Sequence, residues 1–169
     1  MNNNDALKFW EQHSLKAKEN PYCVRISKSY NELPKYDVQF ILKYADKNSE
    51  ILDLGTGTGL IVNKFYDKVK SVDCVEPFKD FSDHIVKSEN VSVINQNVLD
   101  FDTDKQYDLV AVFGLIQYFN EDETTDIYKK CLKWMKSNGK IIVKNQFGVN
   151  EDVLVEGYKG DLEYDGEKC

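Results

Sequence analysis

Histidine is scarce in this chain, with only His13 and His84 among 169 residues. Imidazole chemistry near neutral pH therefore has two candidate residues at most. The four cysteines, Cys23, Cys74, Cys131 and Cys169, lie far apart and form no C-x-x-C pair. That spacing argues against a zinc site or a disulfide framework, so no metal is expected, and the thiols read as those of a reduced, cytosolic protein. No apolar run reaches the ~20 residues needed to cross a bilayer. The start, Met1-Asn2-Asn3-Asn4-Asp5, lacks the basic region and apolar stretch of a signal peptide. A cytoplasmic location with no membrane partner is the expectation. There is also no Lys/Arg block of the kind that tracks a phosphate backbone, which argues against a nucleic-acid partner.

The composition suits one packed domain. Hydrophobic residues make up 41% of the chain and aromatics 12%, enough for a single core at this length. Net charge is −7, from 22 basic and 29 acidic residues, and it is uneven. Residues 150–169 hold seven acids against two lysines, which reads as a solvated acidic tail.

Periodicity divides the rest. Asp5 is placed to cap a helix over 5–18, which carries Leu7 and Trp10 and is closed by Asn20-Pro21. A second helix is expected from Pro34 to Ala45, with Val38, Ile41, Leu42 and Ala45 on one side. An alternation follows: strand 51–54, helix 59–67, strand 71–75, helix 78–87, strand 91–95, an acidic connection over 99–106, and strand 108–113. Asn120 and Glu123 look like a capping box for a helix whose buried stripe is Ile127, Cys131, Trp134 and Met135, ended by Gly139 before strand 140–146. Strands alternating with helices predict an α/β fold with a parallel sheet and right-handed crossovers.

The most informative segment is Glu50-Ile51-Leu52-Asp53-Leu54-Gly55-Thr56-Gly57-Thr58-Gly59-Leu60, which leaves a buried strand through a loop of glycine and threonine. Glycine lets a ligand approach the main chain closely, and the amides of a following helix start would face it. A dinucleotide loop wants a small residue where this chain has Leu60, and no Gly-Lys-Ser/Thr follows as in a P-loop. What remains is Asp-x-Gly-x-Gly-x-Gly, with Glu76 at the end of the next strand placed to take both hydroxyls of a ribose.

These residues resemble the class I S-adenosylmethionine-dependent methyltransferases, of the small bacterial, methyltransferase-domain-25 kind, from about Ser49 to Phe147. Leu52–Gly59 is similar to their first motif, Val75-Glu76-Pro77 to the second, and the segment 94–101, with Asn97 and Val98, to the adenine-facing third. Tyr107–Tyr118 is similar to the fourth strand and active-site loop, and Leu132–Val143 to the last helix, glycine turn and fifth strand. Many relatives carry Asp where this chain has Asn97, whose carbonyl oxygen still accepts a hydrogen bond.

The resemblance implies a Rossmann-like, doubly wound, mostly parallel sheet with helices on both faces. The family's carboxyl-terminal antiparallel strands are missing or reduced here, leaving a sheet edge for the tail or for a second copy in a homodimer. It implies amino-terminal helices over 1–48 that cover the site, a cofactor-binding core over 49–147, and a remainder over 148–169. The cofactor implied is S-adenosyl-L-methionine, leaving as S-adenosyl-L-homocysteine. Its binding set would be Asp53, Gly55, Thr56, Gly57, Glu76, Pro77, Asn97, Val98, Phe113 and Gly114, with Tyr22 and Arg25 reaching a carboxylate. His13, Gln117 and Tyr118 are the candidates at the reaction centre.

Each has a plainer alternative: a turn aspartate for Asp53, an exposed acid for Glu76, a packing aromatic for Tyr118, a surface residue for His13 and a solvated loop for Tyr22 and Arg25. The function implied is methyl transfer to O or N of a small acceptor. A narrower likeness suggests a sugar or phosphoryl group of a cell-surface, capsular polysaccharide precursor. The alternative is a non-catalytic module that binds the cofactor or a partner.

Overall fold

The structure, a computed structural model, describes residues 3–18 and 33–145. Five strands form one parallel sheet: β1 (Glu50–Leu54), β2 (Ser71–Val75), β3 (Val91–Ile94), β4 (Tyr107–Phe113) and β5 (Met135–Lys144). Their order is β3-β2-β1-β4-β5, so the chain runs outward from β1 on one side and then returns to β1's other side through β4. That reversal opens a crevice at the carboxyl ends of β1 and β4, the position where open α/β sheets bind ligands. Among the described residues no antiparallel strand joins the sheet.

Alternation along each strand explains why helices cover both faces. In β1, Ile51 points into one core with Val72, Leu109 and Ala111, while Leu52 and Leu54 point into the other with Val110 and Val112. The first core is closed by helix α2 (Leu33–Ile41) through Val38 and Ile41; the second is closed by helix α4 (Glu121–Trp134) through Ile127, Cys131 and Trp134. Ile41 and Ile127, which are almost completely buried, each contribute roughly 1.5–3 kcal/mol. The capping box starts α4 as expected: Glu123 N donates to Asn120 Oδ1 and Asn120 N donates to Glu123 Oε2, both at 2.9 Å.

Several boundaries depart from the sequence expectation. The amino-terminal helix begins at Asn3, so Asp5 lies in its first turn instead of capping it. The helix over 59–67 is absent; two 3-10 turns, Val62–Lys64 and Tyr66–Lys68, take its place. Buried Val62 and Phe65 are three residues apart, a spacing that the tighter turn puts on one side. The helix over 78–87 shrinks to α3 (Lys79–Ser82), because Asn63 captures the chain beyond it. Its Nδ2 donates to His84 O at 2.9 Å and its Oδ1 accepts from Val86 N at 2.8 Å, replacing helical bonds with side-chain bonds.

α2 ends at Ile41 rather than Ala45, tightening through bonds from Lys43 N to Phe40 O and Tyr44 N to Ile41 O, although Ala45 stays buried. Finally, Gly139 does not end α4. The helix stops at Trp134 and β5 begins at once, its first residues 135–139 bulging where Tyr107 pairs with Met135 but Leu109 pairs with Lys140. A Cβ on Gly139 would lie 2.9 Å from the Tyr107 carbonyl oxygen, so close backbone approach explains the glycine there.

Helix α1 (Asn3–Ala17) lies against α3. His84 Nε2 sits 2.6 Å from the Ala17 carbonyl oxygen, and Lys18 pairs with Asp80 at 3.2 Å. These bonds lead α1 across the carboxyl end of the sheet. Cys74 and Cys131 are buried free thiols; Cys23 and Cys169 lie outside the described residues.

Candidate functional site

A cleft of about 580 Å³ opens over the carboxyl ends of β1, β2 and β4 and is roofed by α1. Its floor is the glycine loop. Gly57 has φ +59 and no atom within 4 Å of where a Cβ would stand, so bare backbone faces the opening. Gly55 also has a positive φ, and a Cβ there would strike Leu115 Cδ1 at 2.9 Å. The expected helix start behind these glycines is absent, so no helix N-terminus faces the cleft at this loop. Instead, Gly55 N and Thr56 N donate to the Val75 carbonyl at 2.9 and 3.3 Å, which fastens the loop to the end of β2.

Glu76 completes that attachment. Its side chain is buried, with Oε2 accepting from Gly57 N at 2.9 Å and Oε1 from Phe78 N at 3.0 Å. Burial pushes its carboxyl up to about 7; the two amides oppose the rise and the charge of Asp53 adds to it. Asp53 is buried beneath the loop, where desolvation raises it to about 6 against a hydrogen bond from the Thr56 side chain. Glu76 thus puts one carboxyl in the lining and Asp53 a second behind it, and a cationic ligand would favour the ionised form of both.

Of the residues expected at the site, Gly55, Gly57, Glu76, Pro77, Asn97 and Val98 line the cleft. So do Phe113, Gly114, Gln117 and Tyr118, which follow β4. Asp53 and Thr56 stand behind the lining, and Thr56 Oγ1 donates to the Asp53 carbonyl at 3.0 Å. His13 does not line the cleft: it is stacked on Phe9 at 4.0 Å, with Nδ1 3.0 Å from the Phe9 carbonyl oxygen. The structure thus places it away from the reacting space expected for it. Tyr22 and Arg25 lie outside the described residues.

Three contacts carry no local sequence signal. Asn97 Nδ2 donates to Asn3 Oδ1 at 2.6 Å, joining the third motif to the first turn of α1, while its own Oδ1 accepts from Leu99 N at 3.2 Å. Trp10 packs edge-on against Phe81 at 6.0 Å and Tyr118 at 5.6 Å, so it bridges the two walls. At the rim, Lys144 Nζ is 2.9 and 2.7 Å from the two oxygens of Asp37, clamping α2 to the end of β5. The aromatic pair Phe78 and Phe81, just past Pro77, was the one part of this wall that side-chain type and proximity to a motif could have revealed.

The model of the methyltransferase domain family matches residues 51–139, more than half of the chain. The chain belongs to that family. This methyltransferase domain is 22% identical over 112 residues to an uncharacterized methyltransferase of Staphylococcus carnosus, covering 66% of the chain and 52% of the relative. It is 26% identical over 140 residues to phosphoethanolamine N-methyltransferase 1 of Caenorhabditis elegans, covering 78% of the chain but 29% of that protein.

A solved structure of Haemonchus contortus phosphoethanolamine N-methyltransferase 1, in complex with phosphoethanolamine and S-adenosylhomocysteine, superimposes with a TM-score of 0.76 at 17% identity. That match covers 95% of the chain and 35% of the worm protein. The domain therefore spans about half the length of the first relative and under a third of the second. Among the described residues no helix is long and apolar enough to cross a membrane, and no cluster of three or more His, Cys, Asp or Glu is arranged for a metal.

Proposed function

We propose that this domain binds S-adenosyl-L-methionine and transfers its methyl group to a nitrogen or oxygen of a small polar molecule, releasing S-adenosyl-L-homocysteine. The observation that carries the reading is the pairing of open backbone at Gly57 with the buried carboxyl of Glu76 on the neighbouring strand. A bulky ligand can lie on the one while its hydroxyls bind the other. The cleft fits the group in size and charge, being of ordinary ligand-pocket volume, with the buried acid Glu76 in its lining and Asp53 behind it.

In this reading Gly55 and Gly57 take the amino-acid portion, Glu76 the ribose, and Pro77, Asn97 and Val98 the adenine. Phe113 and Gly114 line the path to the acceptor. Asp53 holds the loop from beneath, and Thr56 orients it. When bound, the cofactor supplies a sulfonium-activated methyl group, so the protein need only align an acceptor lone pair and exclude water. Trp10, Gln117 and Tyr118 serve those ends, and α1 is the cover. With His13 off the cleft, no imidazole base enters the scheme.

Two of the relatives are named phosphoethanolamine N-methyltransferases, which supports a small amine, phosphorylated in their case, as the acceptor class; nothing in them supports the sugar or phosphoryl group of a polysaccharide precursor expected from the sequence. The expected homodimer would use the outer edge of β5, which no described strand pairs. Incubation with S-adenosylmethionine and a panel of small amines and alcohols tests the reading by release of S-adenosylhomocysteine. Saturable cofactor binding with no turnover on any acceptor would favour a cofactor-binding module instead.

A further inference from the structure

Gln117 and Asn145 converge on the cleft from adjacent strands. Phe113 of β4 is in register with Lys144 of β5, and Gly114 N donates to the Lys144 carbonyl at 2.7 Å. Gln117 sits in the 3-10 turn Ile116–Tyr118 just beyond that pair, and Asn145 follows it directly. Both residues line the cleft, and in both the side-chain oxygen is buried with no hydrogen-bond partner. The third such oxygen among the described residues, Ser71 Oγ, is at the start of β2, the opposite end of the sheet. Buried carbonyl oxygens are ordinarily paired, and two left open in one cleft mark where a ligand donates.

We propose that Gln117 Oε1 and Asn145 Oδ1 together hold the nitrogen of a primary amine acceptor; the inference rests on the methyl-transfer reading of this cleft and names the atom methylated. The argument is a count of donors. A hydroxyl has one O–H and satisfies one of the two oxygens, whereas an amine has two N–H groups and satisfies both. The type of acceptor matters as much. A carboxylate at either position would stabilise the ammonium form, which has no lone pair to react, while a neutral amide orients N–H without fixing the extra proton.

The amine lone pair forms the new N–C bond as the methyl carbon's bond to sulfur breaks. The bonding electron pair leaves with the sulfur, and the methylated ammonium then gives a proton to water. The monomethyl product keeps one N–H for two oxygens, so a first methylation is favoured over a second. A quaternary ammonium has no N–H and gains neither hydrogen bond, so it binds more weakly than the amine.

The test titrates the S-adenosylhomocysteine complex of the full chain with phosphoethanolamine, ethanolamine, 2-hydroxyethyl phosphate and phosphocholine by calorimetry. Each amine is expected to bind about tenfold or more tightly than the hydroxyl or quaternary probe, the worth of one good hydrogen bond to a buried acceptor. In turnover, Gln117→Leu and Asn145→Leu should raise the amine KM about tenfold with the KM for S-adenosylmethionine unchanged. Gln117→Glu should move the rate profile to higher pH, a change that mere packing at this position would not produce. Equal or tighter binding of 2-hydroxyethyl phosphate, or no saturable heat from either amine, overturns the assignment. If S-adenosylhomocysteine itself gives no heat, the cofactor reading fails and takes this one with it; cofactor heat without amine heat removes the amine assignment alone.

Discussion

Gly57 and Glu76 are tied across the gap between the β1 loop and the end of β2, the amide of one donating to Oε2 of the other at 2.9 Å. A single carboxyl thus braces the loop on which a ligand would lie and faces the same ligand. Removing it should act on binding more than on folding, because the loop keeps its bonds from Gly55 N and Thr56 N to Val75. We expect Glu76→Ala to weaken S-adenosylmethionine binding about tenfold or more, the equivalent of ~1.5–3 kcal/mol for a hydrogen bond to a charged group. Calorimetric affinity unchanged from the parent would remove Glu76 from the site.

Gly57→Val should be more severe by a different route. Its φ of +59 is strained for a β-branched side chain, and the new methyl groups would enter the open space above the loop. The expected result is loss of measurable cofactor binding with the fold retained, read by calorimetry beside circular dichroism. A variant that binds as the parent does would show that nothing lies on this backbone.

The raised carboxyls give a pH dependence with a definite sign. Glu76 rises from its ordinary 4.5 to about 7 and Asp53 from 3.8 to about 6, so between those limits the folded state binds more protons than the unfolded chain. Stability of the ligand-free protein should therefore fall as pH climbs from about 4 to 7 through these two groups. For Glu76 the shift corresponds to roughly 3 kcal/mol. Denaturant midpoints across that range should flatten in Glu76→Gln. Binding a cationic ligand favours the ionised acids, so affinity for S-adenosylmethionine should increase from pH 6 to 8 with release of protons; an affinity independent of pH would contradict it.

Much of the site was legible because its signals are local. The strand-loop junction at Leu54-Gly55, the acid one strand later and the Asn120/Glu123 cap each declare themselves within a few residues, and each is where the pattern put it. What could not be read was set by partners far away in sequence. The helix over 59–67 gave way to 3-10 turns because Asn63 is bound to the chain at 84–86 and Val62 and Phe65 face one core. His13 looked like a base on a covering helix, yet its ring is directed to Phe9 in the turn before it. The pairs Asn3 with Asn97 and Asp37 with Lys144 are separated by 94 and 107 residues, and no periodicity encodes either.

Trp10 offers a test of α1 as the cover of the cleft. Its ring meets Phe81 on one side and Tyr118 on the other, and it lines the opening rather than the core. Trp10→Ala should therefore raise KM for cofactor and acceptor and lower kcat by admitting water, with a smaller stability loss than the ~3–5 kcal/mol expected for removing a fully buried tryptophan. Trp134 provides that reference, since it is fully buried between Phe101 and the sheet, 4.9 Å from the phenylalanine ring centre. Trp134→Phe should lower the denaturant midpoint while leaving both KM values in place. If Trp10→Ala instead cost stability as a core truncation does and left KM untouched, α1 would be a structural element of the fold, and the cleft would need another roof.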